Sequence, residues 1–114
     1  LLLWFHRLPW DYRMKDGSTL WESMVTHYDR GVAAVADLRA RWGGLEGDVD
    51  AERFVQVAAF LAIQEQEARW WRDASIAYWQ SINELPLPEG AKPPAHDLDY
   101  YKSLSFPYAP GQGD

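Results

Sequence analysis

From Asp50 to about Asn83 apolar residues recur at helical spacing. Phe54, Val57, Leu61, Ala68, Trp71, Ser75, Tyr78, Trp79 and Ile82 follow one face. Asp50 stands where an N-cap is needed, with Glu52 in the first turn. The predicted helix has about 33 residues and a length of about 50 Å at 1.5 Å per residue. That is far above the usual helix of about 11–12 residues. Phe60, Ile63, Trp70 and Ile76 lie off the main stripe. A helix that is apolar on more than one face needs more than one neighbour.

One neighbour is encoded just before it. Thr19-Leu20-Trp21-Glu22 is a capping box, in which a hydroxyl and a carboxylate satisfy backbone donors at a helix start. Leu20, Met24, Val25, Tyr28, Val32, Val35, Leu38 and Trp42 then form one apolar stripe. Gly43-Gly44 marks the stop, in the role of a glycine just past a helix end, with Arg39 and Arg41 suited to the negative end of the dipole. Gly31 lies inside this helix at a cost of about 1 kcal/mol relative to alanine, and a close helix–helix approach would account for it. A connection of about six or seven residues implies antiparallel neighbours. The expected fold is mainly α: a long antiparallel helical hairpin, with an extended aromatic N-terminal segment and an irregular Pro-rich tail. Two helices cannot cover every aromatic face, so the end segments, a second chain or a further domain must do so.

The ends differ in character. Residues 1–18 are apolar and aromatic, broken by Pro9 and by the turn signal Lys15-Asp16-Gly17. The chain opens on Leu1-Leu2-Leu3-Trp4-Phe5 without methionine, and the expectation is that it continues a preceding hydrophobic segment. Residues 85–114 hold six of the seven prolines. Residues 86–95 and 107–114 read as irregular tail, and residues 102–114 as disordered. Between them His96-Asp97-Leu98-Asp99-Tyr100-Tyr101 is expected to form a short helical turn that packs its tyrosines back on the body. The whole chain of 114 residues is at most one domain.

Composition narrows the function classes. The net charge of −6 and the dispersed basic residues argue against nucleic acid. The first five residues are too short to span a membrane and have no basic lead-in. Zero cysteines rule out a disulfide framework and thiolate metal sites, and leave extracellular and cytoplasmic locations both open. Three histidines without H-x-x-x-H spacing make a poor metal site, and no cofactor is expected. Seven tryptophans call for a large buried interface or a sugar-facing surface.

The candidate substrate contacts are Trp4, His6 and Arg7, beside Trp10 and Asp11. Aromatic rings stack on sugar faces, and His and Arg donate to hydroxyls or a carboxylate. The same residues also suit a buried aromatic segment with one satisfied histidine. His27 reads as a surface or packed residue, and His96 as exposed. Glycoside hydrolysis needs two carboxylates about 5–9.5 Å apart. Asp48 and Asp50 belong to a helix cap, Glu65 suits an i,i+4 pair with Arg69, and Asp73 is expected to pair with Arg69. No carboxylate pair in an aromatic pocket, nucleophile triad, phosphate loop or dinucleotide fingerprint is visible. No catalytic residue is therefore assigned, and these residues alone are expected to be inactive.

Several motifs in order resemble one family. They are Leu2-Leu3-Trp4-Phe5-His6-Arg7-Leu8-Pro9-Trp10-Asp11-Tyr12-Arg13-Met14, Gly17-Ser18-Thr19-Leu20-Trp21, Tyr28-Asp29-Arg30-Gly31-Val32, Val49-Asp50-Ala51-Glu52-Arg53 and Glu67-Ala68-Arg69-Trp70-Trp71-Arg72-Asp73-Ala74, with Leu98-Asp99-Tyr100-Tyr101 beyond. Together they resemble the C-terminal domain of the xylan-degrading α-glucuronidases of glycoside hydrolase family 67. The family pattern has two consecutive histidines where this chain has His6-Arg7. The resemblance implies a helical domain packed on a (β/α)₈ barrel that carries the catalytic carboxylates. It implies inverting, metal-independent removal of (4-O-methyl)glucuronic acid from xylooligosaccharides, and a homodimer to which the C-terminal helices contribute. Trp70, Trp71, Tyr78 and Trp79 are then the expected interface, toward the barrel or a second copy. The alternatives are a stand-alone helical interaction module and a carbohydrate-binding module, the latter disfavoured because such modules are mostly β-sandwiches.

Overall fold

The computed structural model describes residues 9–103. Three helices follow in order: α1 (Leu20–Gly43), α2 (Ala51–Asn83) and the short α3 (Leu98–Lys102). No strand occurs among the described residues beyond an isolated antiparallel bridge between Arg13 and Thr19. The fold is the expected mainly helical hairpin, and both long helices lie where periodicity and caps place them.

The start of α1 is fully capped. The Thr19 hydroxyl accepts from Glu22 N–H at 3.1 Å, and Glu22 returns a carboxylate oxygen to Thr19 N–H at 2.8 Å. Two more first-turn donors, Leu20 N–H and Trp21 N–H, reach the carbonyls of Tyr12 and Trp10. That bonding needs the chain to double back, which it does at Lys15-Asp16-Gly17. Gly17 has φ +89°, a left-handed conformation that favours glycine, and Asp16 accepts from the Ser18 backbone and hydroxyl.

α1 stops at Gly43-Gly44 as expected, but without a left-handed cap. Gly44 is right-handed at φ −70°, and its N–H continues the helical bonding to Ala40 and Arg41. The left-handed turn falls instead at Gly47, φ +91°. Asp50 then caps α2 through Arg53 N–H at 3.0 Å. Trp42 and Phe54 stack at 5.9 Å across this tip, and Trp42 Nε1 donates to the Phe54 carbonyl. Gly31 does not mark a close approach among the described residues. A Cβ built there meets nothing within 4 Å.

The core sits at the open end of the hairpin, in Trp10, Trp21, Val25 and Ile76. Trp10 meets Trp21 edge-on at 5.6 Å and Trp79 at 5.2 Å. Ile76, expected off the stripe, is fully buried, whereas Trp71, expected on it, is 41% exposed. The reason is Arg72, which takes a core-facing position that a search for apolar residues passes over.

Residues 84–97 form a strap rather than a tail. Glu84 turns the chain out of α2 with φ +52°. Leu85, Leu87 and Ala91 then pack on the core. Trp21 Nε1 donates to the Pro86 carbonyl at 2.7 Å, and Gln80 donates to the Leu85 carbonyl. Prolines remove backbone donors, so side chains of the helices hold this segment by its carbonyls. Asp97 caps α3, whose Tyr101 is buried edge-on against Trp70 at 5.6 Å. Tyr100 stays exposed and stacks on His96 at 3.6 Å. Of the two tyrosines expected to pack back, one does so fully. Lys102 and Ser103, expected at the start of a disordered tail, are instead the last residue of α3 and its cap, and residues 104–114 of that tail lie outside the described residues.

Candidate functional site

Two surfaces concentrate chemistry-bearing side chains. The first is polar and lies between α1, α2 and the strap. Arg72 sits at its centre, 7% exposed. Its Nε donates to Asp29 at 2.8 Å, one terminal nitrogen to Asp73 at 2.8 Å, and the other to the Lys92 carbonyl at 2.7 Å. Asp73 accepts in turn from Ala95 N–H at 3.2 Å. Burial works against the Arg72 charge, but the bonds to Asp73 and Asp29 outweigh it and raise its pKa. Arg72 thus joins both helices to the strap, with each of its three guanidinium nitrogens donating one hydrogen bond. The expected Asp73–Arg69 pair does not form. Arg69 is held by Glu65 at 2.7 Å, and Glu65 also receives Arg39 from α1 at 3.2 Å. A groove of about 530 Å³ lies beside the clasp, lined by Asp29, Ala36, Arg69 and Lys92 among others. Its arginines already hold carboxylates, which makes it a structural joint rather than an anion site.

The second surface is aromatic. Trp70, Trp71, Tyr78 and Trp79 of α2 meet Tyr101 and Lys102 of α3 around a cavity of about 270 Å³. Trp70 lies edge-on to Trp71 at 5.7 Å, and Tyr78 edge-on to Trp79 at 5.0 Å. Burial raises the Tyr101 pKa, helped by the nearby charge of Asp73. The structure therefore brings together all four residues expected at an interface. Trp79 faces partly inward, to Trp10, and Trp70 supports α3, so these rings also hold the domain's own ends in place.

Trp4, His6 and Arg7 lie outside the described residues. Within them, His27 is exposed beside Tyr28 and His96 is exposed on Tyr100. No group of three His, Cys, Asp or Glu is arranged to hold a metal ion among the described residues. No helix among them is long and apolar enough to cross a membrane. Sequence reasoning missed Arg72 and Asp29 as partners. The signal was present in the motifs that contain them, but their separation of 43 residues hides the contact.

Comparison with known proteins gives a consistent result. The profile described as Glycosyl hydrolase family 67 C-terminus matches residues 1–92. Alpha-glucuronidase A of Emericella nidulans is 31% identical over 90 residues, covering 79% of this chain and 11% of the relative. Probable alpha-glucuronidase A of Aspergillus oryzae is 35% identical over 81 residues, covering 69% of this chain and 10% of the relative. Alpha-glucuronidase of Hypocrea jecorina is 29% identical over 86 residues, covering 75% and 10%. The chain spans about a tenth of the length of the curated relatives it matches.

Proposed function

The chain belongs to the C-terminal domain family of glycosyl hydrolase family 67, and from that premise we propose that it is the helical C-terminal domain of a longer α-glucuronidase. The whole enzyme removes (4-O-methyl)glucuronic acid from xylooligosaccharides during xylan breakdown. The observation that carries this reading is the match across the aromatic lead-in, both long helices and most of the strap, to relatives named as α-glucuronidases over a tenth of their length. The remaining nine-tenths of such an enzyme supplies the barrel with its acid and base. This domain supplies support and one wall. The aromatic surface of Trp70, Trp71, Tyr78 and Trp79 rests on the barrel, and the domain contributes to dimerisation. Trp4 stacks on a sugar ring, while His6 and Arg7 donate to hydroxyls or to the glucuronate carboxylate.

Two measurements test the reading. In the full-length protein, Trp4→Ala is expected to raise KM or lower kcat on aldouronic acids, and unchanged kinetics would remove Trp4 from the site. The 114-residue chain alone is expected to leave aldouronic acids intact. Turnover by it would overturn the assignment of acid and base to another domain.

A further inference from the structure

The aromatic cavity has a notch at its middle. Its α2 wall reads Trp70, Trp71, Ala74, Ser75, Tyr78 and Trp79. The two small residues stand between two pairs of rings, and the wall runs about 13.5 Å along the helix axis. α3 closes one side through Leu98, Tyr101 and Lys102. An apolar cavity of about 150 Å³ takes up a benzene ring. At about 270 Å³ this one has room for an aromatic side chain.

The chain leaves α3 at the rim of this cavity. Lys102 is both the last residue of α3 and part of the lining. Tyr101 lies against Trp70, so the exit is at the Trp70 end of the wall. Ser103 caps α3, its hydroxyl donating to the Tyr100 carbonyl at 2.7 Å. The residues that follow are Leu104-Ser105-Phe106-Pro107-Tyr108. Large apolar side chains alternate there with Ser and Pro. That period of two puts Leu104, Phe106 and Tyr108 on one side of an extended chain. Pro107 favours the extended form, because a residue before proline is pushed out of helical angles. From Leu104 to Tyr108 such a chain spans about 13 Å, which matches the wall. Beyond it Ala109-Pro110-Gly111-Gln112-Gly113-Asp114 offers no further large apolar side chain.

We propose that residues 104–108 lie extended along α2 and fill this cavity from their own chain, with Phe106 seated over Ala74 and Ser75. The register follows from the exit point. Leu104 starts beside Trp70 and Trp71, and Tyr108 ends beside Tyr78 and Trp79. Phe106, midway along the segment, meets the notch midway along the wall. Chain ends are ordered where they are tied down, and three apolar side chains on one side supply the tie. The proposal stands on this chain's own residues and not on the enzymatic reading. A barrel resting on this surface meets the outer side of Trp71 and the back of the segment.

Photochemical cross-linking tests it. p-Benzoylphenylalanine in place of Phe106 keeps a phenyl ring at that position and attaches on illumination to what it touches. In the full-length protein it is expected to attach, within its own chain, to the peptide holding residues 70–79. Attachment only to another part of the protein or to a second copy overturns the proposal, and so does no attachment. Phe106→Asp in the full-length protein supplies a second readout. Amide exchange at residues 98–103 is expected to rise about ten-fold, while residues 25–40 of α1 keep the parent rate and show that the fold persists. Unchanged exchange at residues 98–103 overturns the proposal as well. Hydrolysis of aldouronic acids by the parent protein tests the enzymatic reading separately, because an inactive protein still gives or withholds the cross-link.

Discussion

Replacing Arg72 with methionine is expected to destabilise the domain by about 3 kcal/mol. Arg72 makes charged hydrogen bonds of 2.8, 2.8 and 2.7 Å to three separate elements. Bonds to charged groups contribute about 1.5–3 kcal/mol each, but they do not add here. Methionine refills much of the volume, and the released acceptors regain water. The Asp29 side chain is already 47% exposed, so its loss is small. Asp73, at 21%, keeps its bond from Ala95 N–H. Removing one partner of a buried pair typically costs about 3–5 kcal/mol, and the exposure of Asp29 selects the lower end. A domain of this size loses about 4–8 °C in Tm per kcal/mol, which predicts a fall of at least about 12 °C. Urea unfolding followed by tryptophan fluorescence measures the loss. Hydrogen exchange at residues 85–95 reports separately on release of the strap. A double-mutant cycle with Asp29→Asn should return a coupling of about 1 kcal/mol. A loss under about 1 kcal/mol, or strap protection unchanged in Arg72→Met, would refute the clasp.

Three further outcomes are expected. Thr19→Ala removes the cap of α1 and should cost about 1 kcal/mol in urea unfolding; no change would mean that the Tyr12 and Trp10 carbonyls alone hold the helix start. Gly31→Ala should stabilise by about 0.5–1 kcal/mol, because its Cβ meets nothing within 4 Å and alanine restricts the unfolded chain; lower stability in the full-length protein would reveal a close neighbour at that face. The carboxyls of Glu65, Glu22 and Asp16 are held below their ordinary values, by Arg69 and then Arg39, by Thr19, and by Ser18 respectively. Because these folded pKa values are depressed, the stabilisation is present above the unfolded value of about 4 and is lost as pH falls through the folded values. Denaturation midpoints taken from pH 6 to pH 3 should therefore drop below about pH 4, less steeply in Glu65→Gln; a flat parent profile would contradict this.

The helices were legible because their ends are chemical. Thr19 with Glu22, and Asp50 before Ala51, name the positions where backbone donors need acceptors, and the structure uses both. The strap was less legible, because Pro86, Pro88, Pro93 and Pro94 signal only the absence of a helix. What holds the strap lies far away in sequence, in Trp21, Arg72 and Asp73. The register of α2 was misread for a related reason. Following apolar residues selects Leu61, which is buried, but then Trp71, Ser75 and Tyr78, whereas the buried residues of the later turns are Arg72, Ile76 and Ala77. Arg72 is tolerated there because Asp29 of α1, Asp73 of α2 and the Lys92 carbonyl of the strap each accept from one nitrogen of its guanidinium. Adjacent residues on a helix point about 100° apart. Turning Arg72 inward therefore necessarily turns Trp71 outward, where it is 41% exposed. The clasp that closes the hairpin and the aromatic surface around Trp71 are two consequences of one helical register, so a change that rotated α2 to bury Trp71 would break both.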